Sequence, residues 1–125
     1  MNSPYQDELK ARDIRQKHLE AIVKAAIAEV EAAFLKPFAG FHHTTFLGVM
    51  GINPIHLAIW CFFAKDDDLK NAQETHLIDR IELAFREALA KHGYPGSAIP
   101  SIGVAFATDE DVQRTCGGNY WHYLK

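Results

Sequence analysis

The chain has 125 residues, of which 48% are hydrophobic and 23% charged, enough for one globular core and too few for two. Thirteen Lys and Arg against sixteen Asp and Glu give a net charge of −3 with no basic run, so a nucleic-acid partner is not expected. Two cysteines, Cys61 and Cys116, lack metal-ligand spacing and are too few for a disulfide framework, which fits a reducing, cytoplasmic setting.

The first residues, Met1 to Glu8, lack the basic-then-apolar order of a secretory signal. From about Gln6 to Phe34 apolar residues recur at three- and four-residue steps (Leu19, Ile22, Val23, Ala26, Ile27, Val30), which predicts a long amphipathic helix that ends near Pro37 and Gly40. The segment Pro37 to Ala64 carries no Lys, Arg, Asp or Glu, yet Asn53-Pro54 splits it into pieces shorter than the roughly 20 residues of a membrane span. No membrane partner is expected. It reads instead as an antiparallel hairpin, Phe41–Met50 and Ile55–Ala64, closed by the turn Gly51-Ile52-Asn53-Pro54 with Met50 opposite Ile55. In that register Phe46, Ile59, Cys61 and Phe63 share one face, and His43, Thr45, Leu47, Val49, His56, Trp60 and Phe62 the other.

After Lys65-Asp66-Asp67-Asp68 a second helix is predicted to run to about His92, with Leu77, Ile81, Ala84, Phe85, Ala88 and Leu89 as its apolar stripe. An Asp of the triplet or Thr75 caps its start. Ile102, Val104 and Phe106 alternate with small residues in a third strand, which the long crossover helix allows to run parallel to the second. Thr108 caps a short helix through Asp109-Glu110-Asp111, Gly117-Gly118 ends it, and Tyr120 to Leu124 reads as a terminal fourth strand. The expectation is a single α+β domain spanning residues 1–125, a two-layer α/β sandwich of order α-β-β-α-β-α-β with a mostly antiparallel or mixed four-stranded sheet.

Both faces of such a sheet are apolar, and two amphipathic helices cover only one of them. The second face is therefore covered by the C-terminal segment, by another copy of the chain, or by a different molecule. Trp60, Phe62 and Trp121 have the chemistry of interface anchors. The triplets Asp66, Asp67, Asp68 and Asp109, Glu110, Asp111 fall on one sheet edge, where they suit helix starts, a hard cation or a basic partner surface. His42 and His43 are neighbours and would point to opposite faces of an ideal strand, whereas His43 and His56 share a face but lie far apart along it, so a zinc site would need a further ligand such as His122. No metal ligand set, catalytic residue or cofactor is nominated on these grounds. Motifs such as GxSxG, HExxH, a P-loop or a dinucleotide fingerprint are absent from the sequence, and a Cys116–His122 pair is the one nucleophile arrangement that suggests itself.

The reading that follows is a non-catalytic binding protein, of inhibitor, immunity or adaptor type, that meets a protein partner or a second copy of itself. It would do so through His43, Thr45, His56, Trp60, Phe62 and Trp121, or through the acidic edge. The alternatives are a small metal-dependent or His-assisted hydrolase with His43 or His122 as base, and a structural subunit of a homo-oligomer.

Overall fold

A computed structural model describes residues 3–125; Met1 and Asn2, part of the segment tested for a leader, lie outside the described residues. The first helix, α1, spans Pro4–Val30. It starts two residues before the apolar periodicity because Ser3 and Gln6 form a reciprocal cap, the Gln6 N–H donating to Ser3 Oγ at 3.2 Å. A π-helical turn, Glu31–Leu35, carries the chain off the helix and buries Leu35.

Strands β1 (Phe41–Leu47) and β2 (Ala58–Phe63) pair antiparallel, and β2 pairs parallel with β3 (Gly103–Thr108). The sheet is mixed, three-stranded, in the order β1-β2-β3. Thr45 opposes Trp60 and Leu47 opposes Ala58, the same alignment that places Met50 opposite Ile55. The strands are nevertheless shorter than expected, and residues 48–57 form a long connection that ends in a 3-10 turn, Pro54–His56. The cause is capture of this loop by α1. Gln16 donates to the Gly48 carbonyl at 3.0 Å and accepts from the Gly51 N–H at 2.7 Å, and Arg15 donates to the Gly51 carbonyl at 3.0 Å. Backbone groups that a tight hairpin would pair across the ladder are satisfied by helix side chains instead.

The predicted second helix is two helices, α2 (Asp66–Glu74) and α3 (Leu77–Lys91). They part where Thr75 Oγ1 donates to the Asn71 carbonyl and His76 takes a left-handed conformation, φ 59°. Helix α4 (Asp109–Cys116) begins as expected, with Thr108 Oγ1 accepting from the Asp111 N–H at 3.0 Å.

Residues 120–124 do not form a fourth strand: Tyr120–Tyr123 is a short helix, α5. Gly117 and Gly118 turn the chain at φ 60° and 89°, and Asn119 caps α5 by accepting from the His122 N–H. Helical spacing puts Tyr120 and Tyr123 on the same side, both against Phe62, whereas a strand would have separated them.

The main core lies between α1 and α3 and the face of the sheet that carries Ile59, Cys61 and Phe63. A smaller cluster on the opposite face joins Phe62, Ala107 and Val112 to Trp60, Tyr120, Tyr123 and Leu124. Helices therefore flank both faces rather than one, and Phe62 is fully buried with the chain's own C-terminal segment packed over it. Apolar exposure remains elsewhere. Val49 (56% exposed) and Ile52 (58%) stand in the β1–β2 connection and share a groove with Leu9 of α1.

Candidate metal centre

The sheet edge at the C-terminal ends of β2 and β3 is also the edge where β1 begins, and an irregularity there decides the chemistry. Phe41 opposes Phe63 while His43 opposes Phe62, so His42 is an extra residue, a β-bulge. The hydrophobic effect explains it. Phe41 has the same parity as His43 and would otherwise face the C-terminal segment; the bulge rotates it into the main core beside Phe63. Gly40, at φ 97°, and the Ala64 N–H donating to its carbonyl at 2.7 Å hold the strand end in place.

The bulge overturns the expectation that His42 and His43 point apart. Their rings meet edge to face with Nδ1 atoms 2.8 Å apart. His42 Nδ1 also lies 2.7 Å from Asp109 Oδ2 at the start of α4, and one ligand atom from each of His42, His43 and Asp109 falls within 4.8 Å of the others. His42 is largely exposed, while Asp109 is mostly covered. His43 lies flat on Phe62, ring centroids 4.7 Å apart and planes 11° from parallel, with Tyr120 against its edge. Burial, followed by the neighbouring His42, holds the His43 pKa below the usual histidine value. That direction favours the neutral imidazole, the form that ligates metals.

The protons available to this cluster do not match its close approaches. In the ring plane His42 Nδ1 has one bonding direction, either an N–H or a lone pair, yet it faces both His43 Nδ1 and Asp109 Oδ2. As a donor it has one hydrogen, which the carboxylate and His43 Nδ1 can only share in a weakened three-centre bond. As an acceptor from His43 it turns its lone pair toward an anionic oxygen. A cation among the three atoms satisfies all of them at once. Two imidazoles and one carboxylate form the donor set of zinc and non-haem iron sites that keep a coordination position open. Around zinc at about 2.0–2.1 Å such donors sit roughly 3.3 Å apart, so the two short separations from His42 would each widen by about half an ångström on loading.

The acidic triplets do converge on this edge, but mainly to bind their own chain. Asp66 accepts from Thr108 Oγ1 at 2.6 Å and from Arg114 at 3.0 Å, and Arg114 holds its pKa below the usual carboxylate range. Asp68 Oδ2 accepts from the Lys65 N–H, and Glu110 accepts from the Asp66 N–H. Asp111 accepts from Arg114 at 2.8 Å and from Tyr123 at 2.5 Å, while Asp109 Oδ1 accepts from the Tyr120 hydroxyl. Burial and the bond to Asp109 push the Tyr120 hydroxyl up to about 12. Asp67 is exposed and its carboxylate has no hydrogen-bond or ion-pair partner among the described residues.

The other predicted site residues lie apart from the cluster. Thr45 and Trp60 face each other across the ladder, both half-buried, with Trp60 against Tyr123 at 6.0 Å. His56 is exposed in the 3-10 turn at the far end of the sheet, and Trp121 is 74% exposed on the outer side of α5. Cys116 contacts the Thr115 hydroxyl rather than His122, and the buried Cys61 thiol is pushed up to about 12 by desolvation. Sequence reasoning missed His42 and Tyr120 as parts of the cluster. A Gly followed by an apolar residue of the wrong parity, Gly40-Phe41, is the signal that could have exposed the bulge.

Beside the cluster a groove of about 660 Å³ is lined by Ala64, Asp109, Glu110, Gln113, Arg114, Gly118 and Tyr120. It shares Asp109 and Tyr120 with the histidines. Compared with known proteins, the chain matches no family model, no curated protein and no solved structure.

Proposed function

We propose that the chain is a metal-binding domain whose His42, His43 and Asp109 hold a divalent transition cation of the zinc type. The observation that carries this reading is the convergence of His42 Nδ1 on both His43 Nδ1 and Asp109 Oδ2, at 2.8 and 2.7 Å, which one proton can serve only by being shared in a weakened three-centre bond. With three protein ligands the ion retains a position for water beside the groove, and a metal ion that lowers the pKa of bound water is the chemistry of a small hydrolase.

The test is a thermal-shift and calorimetric titration with Zn²⁺, Co²⁺, Ni²⁺ and Mn²⁺. A ligand that binds only the folded chain stabilises it by RT ln(1 + [L]/Kd), about 2.7 kcal/mol at a hundredfold excess over Kd, and so raises its melting midpoint. His42→Ala, His43→Ala and Asp109→Asn should each abolish the rise, and His56→Ala and His122→Ala should leave it intact. No rise with any ion, or a rise that survives loss of His42 and His43, overturns the proposal.

A second reading, a module that meets a protein partner or another copy of itself, is favoured by a different observation. Apolar exposure concentrates at the end of the sheet opposite the histidines, where Leu47, Val49, Ile52 and Ile55 are exposed and Val49 and Ile52 share a groove with Leu9 of α1. Sedimentation of the wild type and of a Val49→Glu/Ile52→Glu variant tests self-association. A monomer at all concentrations removes the oligomeric form of this reading.

A further inference from the structure

The metal reading leaves one element without a role, the short helix α5. Its Tyr120 touches two of the three ligands. The hydroxyl donates to Asp109 Oδ1, on the carboxylate oxygen opposite the one that faces His42. The ring packs against the edge of His43 at 5.1 Å between centroids and against Phe62 at 5.2 Å. This placement does not depend on the hydroxyl alone, because Tyr123 separately anchors α5 through Asp111 Oδ2 and Asn119 caps it.

We propose that Tyr120 is the positioning residue of the centre. By occupying Oδ1 it makes Asp109 meet the ion through Oδ2 alone, and so keeps an additional coordination position open toward the groove. This rests on the metal reading above. An aspartate whose two oxygens are both free can swing to chelate an ion with both and fill two positions. A hydroxyl fixed on one oxygen prevents the swing and sets the carboxylate plane before the ion arrives. Outer partners of this kind commonly change metal affinity 10- to 100-fold when removed. Tyr120 and Asp109 both line the groove, so the positions kept open face the concavity beside the centre.

The experiment compares wild type, Tyr120→Phe and Tyr123→Phe, each titrated with Zn²⁺ and with Co²⁺ as a spectroscopic stand-in. Tyr120→Phe retains the ring and loses only the hydroxyl. It should weaken Zn²⁺ binding 10- to 100-fold and shift the visible Co²⁺ bands toward the weaker absorption of a higher coordination number. Tyr123→Phe, which loosens α5 without touching a ligand, should leave both unchanged. Equal affinity and identical Co²⁺ spectra in wild type and Tyr120→Phe overturn the role of Tyr120 while the metal reading stands. An equal loss of affinity in both variants with unchanged spectra also overturns it, since α5 would then act only as packing. Absence of Zn²⁺ binding by the wild type overturns the metal reading and this inference together.

Discussion

Replacement of Phe62 by Ala is the sharpest test of how the second face of the sheet is covered. Phe62 is fully buried and is enclosed by His43, Trp60, Tyr120 and Tyr123, with ring centroids 4.7 to 6.2 Å away. Removing a buried phenyl ring costs about 3–5 kcal/mol, the transfer energy of the ring plus the cavity that remains. For a chain of this length each kcal/mol lowers the midpoint by about 4 °C, so the variant should melt roughly 12–20 °C below wild type. Trp121 is larger but 74% exposed, and Trp121→Ala should change stability by less than about 0.5 kcal/mol. Urea unfolding followed by circular dichroism measures both, and an unchanged slope identifies the loss as one of stability. A Phe62→Ala cost below about 1 kcal/mol, or a Trp121→Ala cost near 3, would mean that α5 does not roof the sheet and that the reasoning from Phe62 outward is wrong.

Other perturbations separate steric from conformational effects. Gly48 and Gly93 both have positive φ, 140° and 93°, but a Cβ on Gly48 would stand 2.2 Å from the His56 carbonyl oxygen while one on Gly93 meets nothing within 4 Å. Gly93→Ala should therefore cost about 1–2 kcal/mol of backbone strain, and Gly48→Ala clearly more, in the same urea assay. Equal costs would refute the close approach at the neck of the hairpin. Glu29 beside Lys91 and Asp66 beside Arg114 both have folded pKa values held below their ordinary ones. Their contribution is present above the unfolded pKa and is lost as pH falls through the folded value. The melting midpoint should accordingly decline below about pH 4.5, and high salt should reduce the decline because these groups are exposed. In the native state Cys116 should react with a thiol reagent while Cys61, buried and with its thiol pushed up to about 12, should react only on unfolding. Rapid labelling of two thiols without denaturant would contradict the placement of Cys61.

How far the sequence alone could be read varies from element to element, for physical reasons. Where periodicity is long and consistent it is decisive: the α1 stripe through Leu19, Val23, Ala26 and Val30 is buried as its spacing requires. The alternation of Ile59, Cys61 and Phe63 against Trp60 and Phe62 likewise assigned each residue to its face. The Thr108 cap and the glycines after Cys116 marked both ends of α4, since capping depends on groups only a few residues away. The local pattern failed at Tyr120 to Leu124. Aromatic residues there suit a strand as well as a helix, and contact with Phe62 decides between them.

The candidate centre was legible only in its parts. His43 and Asp109 stood out as residue types, and both acidic triplets were placed on the correct sheet edge, because strand direction and helix starts follow from local signals. Their union depended on a bulge that puts His42 on the same side as His43 and turns Phe41 onto the main core beside Phe63. Such a choice compares burial at sites distant in sequence. Composition and periodicity determined α1, the apolar stripe of α3, the two faces of β2 and the size of the core, which depend on neighbours along the chain. The tertiary structure alone decided which side chains converge, since that depends on which distant surface each apolar residue can reach.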